Sequence, residues 1–143
     1  MLSLQISTDP QESDLQVLKQ RLLDYNLSRV GPENYVPLLV SLRDGEGNLV
    51  GGVSGKIYYQ WLFIEWFWVA EQMRGQGQGR ALLTAAEKEA RRRNCRQAWL
   101  DTFSFQARGF YERNGYVLFG ELSNYPPGHQ RYFLRKSLDV GPD

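Results

Sequence analysis

The order of apolar periods along this chain of 143 residues predicts an α/β fold: one twisted, mostly antiparallel sheet with a parallel pair at its centre, flanked by helices. Two observations carry this. Residues 35–43, 48–59 and 61–69 read as consecutive strands of an antiparallel meander, with Asp44-Gly45-Glu46-Gly47 as a hairpin turn. A helix over 78–94 then leads to a strand at 97–102, which a right-handed crossover must lay parallel to 61–69.

In chain order, Leu2-Ser3-Leu4-Gln5-Ile6 alternates as a strand would and not as a signal peptide. The strands at 61–69 and 97–102 are therefore the fourth and fifth of the predicted series. Asp9-Pro10-Gln11-Glu12 reads as N-cap, first-turn proline and capping-box glutamate. The stripe Leu15, Leu18, Leu22, Tyr25 carries that helix to the region of Arg29, and Gly31-Pro32 stops it. No clear turn is visible between Tyr58 and Trp61. In 61–69 one face carries Trp61, Phe63, Glu65, Phe67 and Val69, the other Leu62, Ile64, Trp66 and Trp68, which predicts a central strand covered on both sides.

The helix 78–94 turns Leu82, Leu83, Ala86 and Ala90 inward, with Glu87/Arg91 and Glu89/Arg93 as outward i, i+4 pairs. Arg91-Arg92-Arg93 falls in its last turn, where cations complement the negative dipole end. A short helix over 106–114 ends at Gly115, and strands at 116–122 and 130–137 close the sheet around the loop 123–129. His129 in that loop reads as a turn or solvent residue. No repeat, low-complexity tract or linker divides the chain, so residues 1–143 are read as a single domain.

Composition excludes several classes. Lys plus Arg number 17 against 16 acidic residues, a net charge of +1, so nucleic acid is not an expected partner. The longest apolar run, 62–70, is broken by Glu65 and too short for a bilayer. Cys95 is the one cysteine, which permits no internal disulfide and makes a cytoplasmic home the simplest inference. With no second cysteine and a single histidine, no dedicated metal site is expected.

The most informative stretch is Val69-Ala70-Glu71-Gln72-Met73-Arg74-Gly75-Gln76-Gly77-Gln78-Gly79-Arg80, a strand running through a glycine-rich turn into a helix. Glycines at alternate positions let a ligand approach the backbone, and the helix adds free first-turn amides and its positive dipole end. The guest expected there is a phosphate or pyrophosphate. The absence of Lys-Ser/Thr after the glycines excludes a P-loop. A dinucleotide fingerprint fails at its third glycine, although Asp101, at a strand end, keeps a redox reading open.

Arg74-x-x-Gly77-x-Gly79 resembles the pyrophosphate signature of the GNAT superfamily of acetyl-CoA-dependent N-acetyltransferases. Phe67-Trp68-Val69 resembles the end of that family's fourth strand and Gln97-Ala98-Trp99-Leu100-Asp101 its fifth. Gly109-Phe110-Tyr111-Glu112-Arg113-Asn114-Gly115-Tyr116 resembles its last helix end. The likeness covers residues 62–136 well and the first 60 residues by element order alone.

The resemblance implies a GNAT fold with acetyl-CoA, the co-substrate, between strands four and five, and a small-molecule or peptide amine as acceptor. It implies a cofactor site of Arg74, Gly75, Gln76, Gly77, Gln78, Gly79, Arg80 and the backbone of Val69, and Tyr111 as the general acid that protonates the departing sulfur. Ser104 stands where many members carry a cofactor-touching asparagine, and the stretch 101–111 is shorter than in other members. Glu65, a lone carboxylate on an apolar strand, and Asp101, at the carboxyl end of a parallel strand, are rival candidates for the base that deprotonates the amine. Burial is expected to raise the pKa of Glu65, and an ion pair with Lys56 or an arginine is the bland alternative. The acceptor is expected to be set by residues 25–37, 58–61 and 123–129. A non-catalytic acyl-CoA-binding module and a homodimer are both left open.

Overall fold

The computed structural model describes residues 1–139. The chain forms two compact units, Met1–Glu33 and a second from Asn34 onward.

The first unit is built on α1 (Glu12–Val30). Its N-cap is Gln11, with no side-chain cap, instead of the expected Asp9, whose N–H is taken by the Ser7 hydroxyl at 3.1 Å. The helix stops where expected, at Gly31 with φ +82°. Residues 2–6 form no strand. Alternation says which side chains would share a face but supplies no ladder partner for the backbone.

The second unit is a sheet in the order β1-β2-β3-β4-β6-β5. Its strands are β1 (Val36–Arg43), β2 (Leu49–Tyr58), β3 (Trp61–Val69), β4 (Gln97–Phe103), β5 (Val117–Ser123) and β6 (Gln130–Ser137), with helices α2 (Gln78–Arg92) and α3 (Arg108–Arg113). Only β3 and β4 are parallel. These are the residues expected to be parallel, but they are strands three and four, because the N-terminal strand does not form.

The β1–β2 turn is held by Asp44, whose Oδ1 accepts the N–H groups of Glu46 and Asn48, each at 2.9 Å. The β2–β3 turn, invisible in the sequence, consists of Tyr59 and Gln60 at φ +51° and +64°. Positive φ at both central residues is the geometry that suits the twist of a two-residue hairpin. Without glycine or asparagine there, the sequence carries no sign of it.

The core lies where α2 packs Leu82, Leu83, Ala86 and Ala90 onto Val53, Ile57, Leu62, Ile64, Ala98, Leu100 and Leu134. Trp66 and Trp68 on β3 are exposed, so the expectation of cover on both faces fails. Glu87 is buried, not outward: its carboxylate accepts from Tyr116 Oη and Lys136 Nζ, each at 2.8 Å. Helical phase explains it, since residue 87 lies four beyond Leu83 and three before Ala90 on the inward stripe. Its expected partner Arg91 donates instead to the Leu138 carbonyl at 2.9 Å. Glu89 does pair with Arg93 at 2.8 Å, and also with Arg92 at 2.6 Å.

Candidate active site

The site begins with a fault in the sheet. β3 and β4 pair from Trp61/Gln97 to Ile64/Leu100, and there the ladder ends although both strands continue. On the other side of β3, Gly55 pairs with Ile64 and Ser54 with Trp66, which leaves Glu65 as an extra, bulged residue. A bulge bends its strand and re-phases the residues beyond it. Phe67 and Val69 accordingly join Leu62 and Ile64 in packing against the core, while Trp66 and Trp68 turn outward.

Beyond the bulge the backbone of β3 is available on one side. Ala70 N–H donates to Val50 C=O at 2.8 Å, so antiparallel alternation turns the N–H and C=O of Val69 away from β2, toward the opening. Arg74 Nε donates to that Val69 carbonyl at 2.9 Å. The glycine turn follows, and Gly77 is the N-cap of α2 at φ +78°. Among the described residues, the N–H groups from Gly75 to Arg80 meet no protein acceptor; the first bond is Ala81 N–H to Gly77 C=O at 3.1 Å. Gly79 serves a different purpose, since a Cβ there would lie 3.3 Å from the Phe110 ring.

A groove of about 510 Å³ runs along this turn, lined by Phe67–Val69, Met73–Gly75, Gly77–Arg80, Ala107, Phe110, Tyr111 and Arg113. Three arginines and no carboxylate line it, which with a helix N-terminus makes the groove electropositive. Gln76 and Ser104 do not line it. Gln76 Nε2 turns back to the Gln72 carbonyl at 3.3 Å, and Ser104 Oγ accepts the Gln130 N–H at 3.1 Å and lies 3.4 Å from His129 Nδ1.

A smaller cavity of about 150 Å³ occupies the gap between β3 and β4, lined by Ile64, Glu65, Phe67, Leu100, Asp101, Thr102, Gln106, Ala107 and Tyr111. Phe67, Ala107 and Tyr111 belong to both spaces. The structure thus brings together the three side chains singled out for chemistry. Tyr111 sits near the end of α3, edge-on to Phe67 and Phe110, and burial together with the Asp101 charge pushes its pKa up to about 12. Its hydroxyl therefore keeps its proton at neutral pH.

Neither carboxylate stands alone. Glu65 pairs with Lys56 Nζ at 3.1 Å and is a quarter exposed, so the deep burial expected of it is absent. The bulge is the reason, because it takes Glu65 out of the regular pleat. Asp101 pairs with Arg131, whose Nε and Nη2 reach Oδ1 at 2.9 and 2.8 Å. Thr102, Gln106 and Arg131 were not anticipated. Gln106 Oε1 ties the β4 end to the α3 approach by accepting from Thr102 Oγ1 at 3.2 Å and Phe103 N–H at 2.8 Å. The one signal for Arg131 was that an aspartate in a central strand needs a cation partner.

A split parallel pair, an anion-binding turn on one side of a tyrosine and two carboxylates on the other define the site of a group-transfer enzyme with an anionic co-substrate. Residues 4–116 match the model of the acetyltransferase (GNAT) family, and the chain belongs to that family. It is an acyltransferase with acetyl-CoA as co-substrate. It is 35% identical over 119 residues to an acetyltransferase of Agrobacterium fabrum, covering 83% of this chain and 87% of that one. It is 41% identical over 93 residues to the blasticidin-S acetyltransferase of Streptomyces morookaense, covering 64% and 68%. The solved structure of an acetyltransferase from Bacillus cereus superposes with a TM-score of 0.85 at 31% identity, covering 93% of this chain and 97% of that one.

Proposed function

We propose that this enzyme transfers the acetyl group of acetyl-CoA directly to the amine of a small molecule. The observation that carries this is the position of Tyr111 in the wall shared by the arginine-lined groove and the carboxylate-lined cavity. The relative named for blasticidin-S supports a small-molecule acceptor.

Acetyl-CoA supplies an activated thioester, and the residues do the rest. The N–H groups of Gly75 and of Gly77 to Arg80, with the side chains of Arg74, Arg80 and Arg113, hold the pyrophosphate. An amine has a pKa of about 10 and must lose a proton before it attacks. Glu65 or Asp101 receives that proton, through a water in the gap between the strands. The backbone N–H of Val69, or one just beside it, would hold the carbonyl oxygen on which negative charge grows as the C–N bond forms. As the C–S bond breaks, Tyr111 gives its proton to the sulfur and the nitrogen sheds its second proton to water; Tyr111 then regains a proton from solvent and the carboxylic acid returns its own to solvent.

Thiol release from acetyl-CoA across a panel of blasticidin S, aminoglycosides, polyamines, amino acids and peptide N-termini tests the reading. We expect turnover with at least one small-molecule amine, and release with peptides alone would reverse the acceptor class. On the active substrate, Glu65→Gln is expected to lower kcat, with Asp101→Asn acting on acceptor KM. The opposite pattern would exchange their roles.

A further inference from the structure

We propose that Arg131 is a positioning residue that fixes Asp101 for the acceptor and ties it, through Tyr125, to the loop between β5 and β6; this rests on the acetyl-transfer reading above. Two of the donors on Arg131 converge on a single oxygen, Oδ1 of Asp101, at 2.9 and 2.8 Å. Among the described residues no side chain donates to Oδ2, and Asp101 lines the small cavity with Glu65 and Tyr111. One oxygen is therefore clamped, and the other is left for an incoming N–H.

The clamp itself is held from behind. Arg131 Nη1 donates to Tyr125 Oη at 2.8 Å, and the guanidinium lies over the rings of Tyr125, Phe133 and Phe103, at 5.0, 5.4 and 5.5 Å from their centroids. A long side chain at a surface pays rotamer entropy for an ion pair; here a hydroxyl and three rings have already removed that freedom. The loop is closed on itself by Tyr125 N–H to His129 C=O at 3.1 Å, His129 N–H to Pro126 C=O at 2.9 Å and Gly128 N–H to Asn124 Oδ1 at 3.0 Å. Its far end is pinned to the β4 end by Ser104 N–H to Gln130 C=O at 2.8 Å. The backbone thus sets the Tyr125 ring, the ring sets Arg131, and Arg131 sets Asp101. Loop residues that touch no acceptor atom can in this way tune acceptor recognition.

Arg131→Met keeps the bulk of the stem and removes the fork; Arg131→Lys restores the charge without it. With the best amine of the panel, Arg131→Met is expected to raise acceptor KM by about tenfold while acetyl-CoA KM stays within about twofold, and Arg131→Lys to recover part of the loss. The double variant Asp101→Asn/Arg131→Met should be no worse than Asp101→Asn alone, because Arg131 acts through Asp101. Additive losses, or an unchanged acceptor KM, would overturn the proposal. Tyr125→Phe, which removes one hydroxyl, should shift KM in the same direction by less and guards against a misfolded Arg131 variant. A second readout needs no acceptor: amide hydrogen exchange over 124–129 should quicken in Asp101→Asn as in Arg131→Met, and an unaltered loop would sink the link. Wild type that releases no thiol with any amine defeats the acetyl-transfer reading instead, and loop exchange then decides the Arg131 link by itself.

Discussion

Tyr111 is a packing residue by its ring and, in the proposed reaction, the acid by its hydroxyl. Its ring belongs to the aromatic cluster with Phe67, Phe110 and Tyr116, and the residue lines both the groove and the cavity. Tyr111→Phe deletes only the oxygen. Acetyl-CoA affinity should hold while kcat falls by about 10²-fold, within the range of general-acid contributions; a variant that keeps its specific activity would make Tyr111 a packing residue. The same hydroxyl affects alkaline stability. Its pKa is raised from 10.0 to about 12 in the folded state, so the stability it contributes is complete below pH 10 and is lost as pH rises toward 12, where the unfolded chain ionises first. Thermal melts between those pH values should show a smaller loss for Tyr111→Phe than for wild type. Wild type also carries the buried Tyr116, whose pKa is raised by burial and the Glu87 charge, so a part of the alkaline loss remains in the variant.

The glycine turn and α2 act as one element. Gly77 has open space where a Cβ would stand, so Gly77→Ala meets only the left-handed φ and should cost about 1 kcal/mol of stability. Gly77→Glu adds a negative charge at the anion site. It should abolish CoA binding by calorimetry with circular dichroism near wild type, and unchanged affinity would remove the turn from the pyrophosphate site. Further along α2, Glu87 joins helix to sheet through Tyr116 and Lys136. Glu87→Ala leaves a buried hydroxyl and a half-buried ammonium without their partner, at a cost of about 3 kcal/mol. Melting should fall by roughly 10 °C in a chain of this size, with Glu87→Gln falling by less because its amide oxygen still accepts from Tyr116.

The sheet as a whole makes the site by failing to close. Six strands carry the core, and the cavity lined by Glu65, Asp101 and Tyr111 is the place where β3 leaves β4 after the bulge at Glu65. Gly55 stands opposite that bulge, and a Cβ on it would lie 2.6 Å from the Phe63 carbonyl oxygen. Gly55→Ala must therefore push β2 and β3 apart. It should destabilise the protein by about 2 kcal/mol and raise acceptor KM, read from melts and initial rates; a neutral outcome would mean that the bulge does not depend on this close approach. No helix among the described residues is long and apolar enough to cross a membrane.

Local backbone geometry was legible in the sequence. Arg74-x-x-Gly77-x-Gly79 announced a glycine turn into a helix, because left-handed φ and free amides depend on neighbouring residues alone. The hairpin at Asp44, the end of α1 at Gly31 and the parallel crossover through α2 are likewise short-range consequences of residue type and connection length. What tertiary structure alone decided was every feature that needs a partner distant in sequence. Residues 2–6 have the alternation of a strand but no ladder. Glu87 has the charge of a surface residue but the helical phase of a core one, and its partners lie 29 and 49 positions away. Glu65 and Asp101 could be named as carboxylates of interest, and Lys56 as a partner open to Glu65, yet the pairing of Asp101 with Arg131 and the bulge that takes Glu65 out of the pleat arise only when β6 and β2 are laid beside them. Periodicity records which way a side chain points within its own element; whom it meets there is set by the packing of elements, which no local pattern encodes.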